Sequence, residues 1–360
     1  MNKRLKVAVV GLGIGQEHLR HWRALSNLFE VTMACDPDDE RRNSVADQEN
    51  CTGVADYQDV LDGSVDIVDI CTPPHLHFEM AKQALASGHH VVCEKPLVNS
   101  LQEVDGLIEA QEATDRLFMP ISQYRFAGGI QRLKYLIDQG VAGTPYIGSI
   151  ETHWNRGSWY YSVPWRGRWD TERGGVILCH ALHLHDLLCF VLGDVESVYA
   201  QVSTRVNPIE TEDCATVSLK MKNGALISSS ATLGSHKEIS RLRLCFENLT
   251  AESNLSPYDP GRDPWTFTAK DIEEDRRIAE ALRSFAPPAS NFTGQFIGLY
   301  DAICNNAPLP VTLNDARRSL ELVTAIYASV SSGQAEHLPI TKSHTGYSDW
   351  RPATLMDNGS

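Results

Sequence analysis

The chain has 360 residues, 42% of them hydrophobic, enough for a sizeable core and for two domains. Its 46 acidic residues against 32 basic ones give a formal charge of −14, which excludes a nucleic-acid backbone or an anionic membrane as partner. No apolar run approaches the ~20 residues of a membrane span, and Val7–Val10 is too short for a signal peptide, so a cytoplasmic protein is expected.

In chain order, Lys6–Val10 predicts a continuous apolar strand and Gln16–Leu25 the helix that follows it. Val31–Cys35 is a strand closed by Asp36-Pro37, and Val65–Cys71 another that ends at Thr72-Pro73-Pro74. Leu76–Ser87 predicts a helix stopped by Gly88, His90–Cys93 a strand, Leu101–Ala113 a helix and Leu117–Ile121 a last strand. Strands separated by helices of ten or more residues predict an α/β domain over residues 1–122, a parallel, doubly wound sheet.

From residue 123 to 360 the texture changes. Ile147–Trp154, Ser197–Thr204, Thr216–Lys222, Ala225–Thr232 and Leu242–Glu247 alternate like strands with one open face. Asn223-Gly224 between two of them marks a hairpin. Helices are expected at Ile130–Asp138, Leu178–Leu192, Phe292–Cys304 and Asn314–Ser332, and a long loop over Ser253–Lys270. This is an α+β domain with a large open, mostly antiparallel sheet. Its broad face is expected to pair with a second copy, giving a homodimer or homotetramer. The nine cysteines stand singly, without a Cys-x-x-Cys pair, as reduced thiols do.

A glycine turn, Gly11-Leu12-Gly13-Ile14-Gly15, joins the first strand to its helix. Glycines there let the backbone approach a pyrophosphate, and the helix N-terminus offers N–H groups, so a dinucleotide is implied. The usual third glycine position holds Gln16, with Gly15 one residue early. Asp36 closes the second strand, where a carboxylate accepts bonds from both adenosine ribose hydroxyls and repels a 2′-phosphate. That favours NAD over NADP, with Arg41 and Arg42 close enough to weaken the preference.

Val91-Val92-Cys93-Glu94-Lys95-Pro96 sets a lysine at the end of a buried strand, which is costly unless a ligand or a reaction needs it. Lys95 then sits where a substrate hydroxyl would lose its proton, and Lys95–Pro96 is a candidate cis bond. Further on, if Gly174–Asp186 is helical, Cys179, His180, His183 and Asp186 share an arc of about 120° while His185 points away. Two histidines beside a carboxylate suit acid/base work. A zinc site needs a firmer ligand set, so no metal is expected.

Together these stretches resemble the Gfo/Idh/MocA oxidoreductases, the glucose–fructose oxidoreductase and inositol dehydrogenase group, over nearly the whole chain. The likeness is carried by the glycine turn with His18, Thr72-Pro73-Pro74-His75-Leu76-His77 and Glu94-Lys95-Pro96. Arg125-Phe126, Trp165-Arg166-Gly167, Gly174-Gly175 with His183 and Asp186, and Leu338-Pro339 complete it. The resemblance implies a Rossmann domain, a second domain with a large open sheet, a bound nicotinamide and a sugar or polyol substrate. The expected cofactor contacts are Gly11, Gly13, Ile14, Gly15, Asp36, Thr72, Pro73, His77, Glu94, Lys95, Gln123, Trp165 and Arg166. The expected substrate contacts are Lys95, Tyr124, Arg125, Trp154, Tyr160, Tyr161, His180 and His183, aromatic rings lying against the C–H faces of a sugar. Neighbouring arginines hint at an anionic sugar.

His183 and Lys95 are the expected proton-handling pair. Where the family commonly has an Asp and a Gly, this chain has Cys179 and Ala181. A cysteine cannot charge-stabilise an imidazole as a carboxylate does, and His180 is the available substitute. An NAD-dependent sugar or polyol dehydrogenase is therefore the leading expectation. An NAD-retaining glycosidase that oxidises, eliminates and re-reduces is the second, and a nucleotide-sensing regulator the third; the third has no need of Lys95 and His183.

Overall fold

The computed structural model describes residues 3–351. The chain forms two compact units, Met1–Gln123 with Ala289–Arg317, and Tyr124–Pro288 with Arg318–Ser360.

The first unit runs β1 (Leu5–Val10), α1 (Gly15–Ala24), β2 (Phe29–Cys35), α2 (Asp39–Glu49), β3 (Thr52–Val54), α3 (Tyr57–Leu61) and β4 (Ile67–Ile70). It continues with α4 (His77–Ala86), β5 (His90–Cys93), α5 (Leu101–Glu112) and β6 (Phe118–Pro120). The six strands are parallel, in the order β3-β2-β1-β4-β5-β6. Such a sheet is covered on both faces, so its strands are apolar throughout: Val7, Ala8, Val9, Ile67, Val68, Val91 and Val92 have no exposed surface. The order reverses between β1 and β4, and a crevice for ligands opens at the carboxyl ends of strands at such a point.

Two elements here go beyond the sequence expectation. α2 buries only Val45, so it has no apolar stripe to betray it, and β3 is three residues at the sheet edge. The segment Ala289–Arg317 also packs with this unit, although everything after residue 122 was expected in the second domain. It carries α10 (Asn291–Asn305), and its Phe296 ring stacks on Trp22 of α1 at 3.6 Å between centroids. The apolar face of a helix does not say which core it will cover.

The second unit contains α6 (Gly128–Asp138), β7 (Pro145–Asn155), α7 (Ser158–Tyr161), α8 (Leu182–Leu192), β8 (Val195–Ser203), β9 (Cys214–Met221) and β10 (Leu226–Thr232). β11 (Gly234–Phe246), β12 (Leu249–Glu252), β13 (Thr266–Ala269), α9 (Ile272–Arg283), α11 (Leu313–Ser332, in this unit from Arg318 on) and β14 (Glu336–His337) complete it. The eight strands follow the order β13-β12-β11-β7-β10-β9-β8-β14, antiparallel except for β7 with β10.

β9 and β10 alternate buried and outward-facing residues, and Gly224 turns the hairpin between them at φ +93°. The expected loop over Ser253–Lys270 instead contains β13, paired with β12, and α9 follows it, capped by Asp271 and burying only Ile278. Among the described residues no helix is long and apolar enough to cross a membrane.

Candidate active site

In the first unit the site begins where β1 ends. Gly11 has φ +88°, and a Cβ on it would lie 2.7 Å from the Cys71 carbonyl oxygen, so only glycine lets the ends of β1 and β4 approach this closely. A Cβ on Gly13 would meet nothing within 4 Å, and the N-cap position of α1, Ile14, makes no side-chain capping bond. An open glycine before an uncapped helix N-terminus is a cradle for a pyrophosphate. The residues present therefore fit a dinucleotide.

Asp36 is buried at the end of β2. Its Oδ2 accepts the Leu12 N–H at 2.8 Å, its Oδ1 the Asp38 N–H at 2.9 Å, and Arg41 reaches the carboxylate at 3.2 Å. The carboxylate expected to hold the ribose thus already carries a partly exposed arginine. Thr72 and Pro73 follow β4, the Thr72 hydroxyl lying 3.6 Å from Met80 Sδ. His77 is turned inward: Nε2 lies 2.8 Å from the Thr72 carbonyl, and Nδ1 3.1 Å from those of Pro96 and Leu97. It ties two loops together, so its ring nitrogens are not offered to a cofactor. Glu94 is also buried, and its Oε2 accepts the backbone N–H of Lys95 at 2.8 Å. Lys95 itself is half-buried, and the Lys95–Pro96 bond is cis as expected. Gln123 ends the first segment of this unit.

In the second unit the histidine helix does not start as a regular α-helix. Ile177–Ala181 forms a π turn ahead of α8, so the uniform angular spacing assumed for Cys179 to Asp186 is interrupted. A Cβ on Gly175 would overlap the Glu212 carbonyl oxygen at 1.8 Å, which fixes glycine there. Glu212 holds this start: its carboxylate accepts the Gly175 and Ile177 N–H groups at 3.0 Å and the Tyr327 hydroxyl at 2.9 Å.

The residues of this helix meet different neighbours. His183 stacks on Tyr124 at 4.5 Å, and His180 faces the rings of Trp154 at 5.4 Å and Tyr160 at 5.7 Å. His185 turns to the sheet, 3.0 Å from the Ser229 hydroxyl, and burial pushes it down to about 4. Asp186 accepts two bonds from Arg125, at 2.8 and 2.6 Å, and one from Ser319 at 3.1 Å. Arg125, expected at the substrate, is thus committed to a buried ion pair.

Trp154 donates its indole N–H to Ser240 at 2.9 Å, and Tyr160 packs edge-on to Tyr161 at 5.1 Å. Arg166 lies over the rings of Tyr160 and Trp165, at 3.9 and 4.4 Å, and pairs with Glu172 at 3.4 Å. Burial raises the Glu172 carboxyl, against the Gly167 N–H, Arg166 and the Cys179 thiol, which all favour its charge.

Residues 5–121 match the oxidoreductase family with an NAD-binding Rossmann fold, and residues 130–252 match the GFO/IDH/MocA C-terminal domain. The chain belongs to the Gfo/Idh/MocA family. It is an oxidoreductase of that family, with an NAD-binding Rossmann domain. It is similar to the uncharacterized oxidoreductase YrbE of Bacillus subtilis (strain 168), 24% identical over 96% of this chain and 98% of that protein. It is 30% identical to a D-apiose dehydrogenase of Rhizobium rhizogenes over 61% of this chain, spanning 64% of that protein's length. A crystal structure of the WlbA dehydrogenase from Bordetella pertussis, with NADH and UDP-GlcNAcA, has the same fold at a TM-score of 0.84, 24% identity, and coverage of 95% of this chain and 99% of that one.

Within the first unit, the family motifs assemble around the carboxyl ends of β1, β4 and β5. Sequence reasoning passed over four supporting groups: Asp69 and Trp22, bonded to each other in the first unit, and in the second Glu212, which accepts from Gly175, and Glu172 beside Cys179. Asp69 left a signal, a charge inside a strand whose other residues are apolar. Glu212 left none, since its partners lie 35, 37 and 115 positions away; Glu172 has its partners Arg166 and Gly167 six and five residues away.

Proposed function

We propose that this chain is an NAD-dependent dehydrogenase that oxidises a secondary hydroxyl of a sugar, sugar derivative or polyol. The observation that carries this reading is Lys95, a cation at the carboxyl end of β5, its backbone held by the buried Glu94. When bound, NAD supplies the hydride acceptor. The protein must then take the hydroxyl proton, and His183 is the base, steadied by its stack on Tyr124. Lys95 can donate to a developing alkoxide and limit its charge. Tyr160 and Tyr161, both half-buried, give the aromatic faces on which a sugar ring can lie, whereas Trp154 is buried. The D-apiose dehydrogenase named above supports a carbohydrate substrate. The open face of the eight-stranded sheet is proposed to pair two copies.

The test is a panel of sugars and polyols with the purified protein and NAD, followed by NADH absorbance, run beside p-nitrophenyl glycosides. NADH formation from one class of sugar or polyol is the expected result. Aglycone release without net NADH would replace this reading with a redox-neutral glycosidase. Tight NAD binding with neither activity would leave a regulator.

A further inference from the structure

Beneath the glycine turn the first unit contains a closed chain of hydrogen bonds. His18 on α1 has no exposed surface. Its Nδ1 lies 2.9 and 3.0 Å from the two oxygens of Asp69, and its Nε2 lies 3.1 Å from Glu94 Oε1. Asp69, on β4 and fully buried, also accepts the Trp22 indole N–H at 2.7 Å. The other oxygen of Glu94 accepts the Lys95 N–H. Ionised carboxylates only accept, so a ring placed between two of them satisfies both by donating from both nitrogens, as an imidazolium.

The electrostatics agree. Burial is the largest effect and opposes the charge, but the Asp69 carboxylate together with the Cys71 sulfur, 3.3 Å from Nδ1, holds His18 well above the ordinary histidine range. Burial likewise pushes Glu94 up, and the His18 bond and charge, with Lys95, bring it below the ordinary carboxylate range. Aspartate, imidazolium, glutamate and lysine therefore alternate in sign, and the Phe292 and Phe296 rings close over the histidine at 4.6 and 5.7 Å.

A bound cation is the rival account, because His18, Asp69 and Cys71 have donor atoms within 4.8 Å of one another. The bonds argue against it. Both Asp69 oxygens are engaged by His18 and Trp22, and burial pushes the Cys71 thiol up, so it stays protonated, 3.5 Å from Asp69.

Resting on the reading of Lys95 as a catalytic residue, we propose that His18 is a positioning residue: held between Asp69 and Glu94, it fixes the Glu94 carboxylate, which grips the Lys95 backbone and so sets where the ammonium points. Without the histidine clamp Glu94 would be one of two buried carboxylates with no cation between them. It would have to protonate, which weakens its hold on the Lys95 N–H, or turn away, which releases it.

The experiment follows the ring nitrogens of His18 by 15N NMR, assigned with His18→Gln, alongside kinetics on the panel sugar or polyol that yields NADH. The charged or titratable groups facing His18 are Asp69, Cys71, Glu94 with Lys95, and His21 on its own helix; α10 presents only phenylalanines. Both nitrogens should remain protonated above pH 7, where an ordinary histidine with a pKa near 6.5 is mostly neutral.

Asp69→Asn should neutralise the ring at pH 8. It should lower kcat on the order of 10–100-fold, the range for outer-shell partners at metal sites, and leave the Kd for NAD and the substrate KM nearly unmoved. A neutral His18 in the parent at pH 7 overturns the proposal. So does an unchanged kcat and pH profile in both folded variants, or one equivalent of tightly held metal that Asp69→Asn abolishes. Lys95→Ala separates the two layers. If it keeps full turnover, the reading of Lys95 fails while the state of the His18 ring stands; if it loses turnover and Asp69→Asn does not, only the His18 proposal fails.

Discussion

Glu212 anchors the start of the histidine helix, and removing its carboxylate should be costly in a way the structure lets one count. Glu212→Ala leaves the Gly175 and Ile177 N–H groups and the Tyr327 hydroxyl, all buried, without their acceptor. Each orphaned buried donor costs about 1–3 kcal/mol, so three amount to roughly 3–6 kcal/mol once entering water relieves part of the loss. That is a large share of a typical stability of about 5–15 kcal/mol.

The same carboxyl sets a pH dependence. Burial pushes Glu212 up to about 7, against the donors that favour its charge. A folded-state pKa above the unfolded one means the stability is fully present below about pH 4.5 and is lost as pH rises through about 7. The difference is on the order of 3 kcal/mol. Urea unfolding followed by tryptophan fluorescence at pH 5 and pH 8 should show this decline in the parent and a flatter profile in Glu212→Gln. A Glu212→Ala protein within 1 kcal/mol of the parent, on the order of a single ordinary hydrogen bond, or a Glu212→Gln protein with the parent's full pH slope, would refute the reasoning.

What the sequence makes legible is chemistry that is local in the chain. The glycine turn, Asp36 at a strand end, Lys95 before a proline and the Asn223-Gly224 hairpin each state their backbone need within a few residues. The groups behind them are not local. Asp69 is visible as a charge in an apolar strand, but its partner His18 is 51 positions away, and only the parallel pairing of β1 with β4 brings α1 over it. Arg125 and Asp186, 61 positions apart, are each plausible ligands until the fold pairs them with each other. The histidine helix failed for another reason. A helical wheel assumes one angle per residue, and the π turn breaks that assumption at Cys179 and His180.

Lys95→Ala and His183→Ala should each lose about 10²–10⁴-fold in turnover while still binding NAD by fluorescence titration; near-normal rates would remove them from the chemistry. NAD should bind better than NADP, and Asp36→Ala should narrow the gap; because Arg41 pairs with Asp36, Arg41→Ala should weaken NADP and spare NAD in calorimetry. Ile147 on β7, Tyr199 on β8 and Leu226 on β10 are 56%, 41% and 54% exposed, so light scattering should find a dimer or tetramer that Leu226→Glu disrupts, and a parent monomer at micromolar concentration would exclude this interface. The last prediction concerns Cys179→Asp, which restores the family's residue. The thiol it replaces bonds Glu172, a carboxyl already raised by burial and paired with Arg166. Two carboxylates about 4 Å apart near a protein surface repel by roughly 4 kcal/mol, and one of them must take a proton or move. Cys179→Asp alone should therefore unfold at lower urea at pH 8 than at pH 5 relative to the parent, since acid protonates one partner and relieves the repulsion. Cys179→Asp with Glu172→Gln should recover the loss, because the glutamine keeps an acceptor for the Gly167 N–H without the charge. If Cys179→Asp is as stable as the parent at pH 8, Glu172 is not the carboxylate that occupies this part of the site.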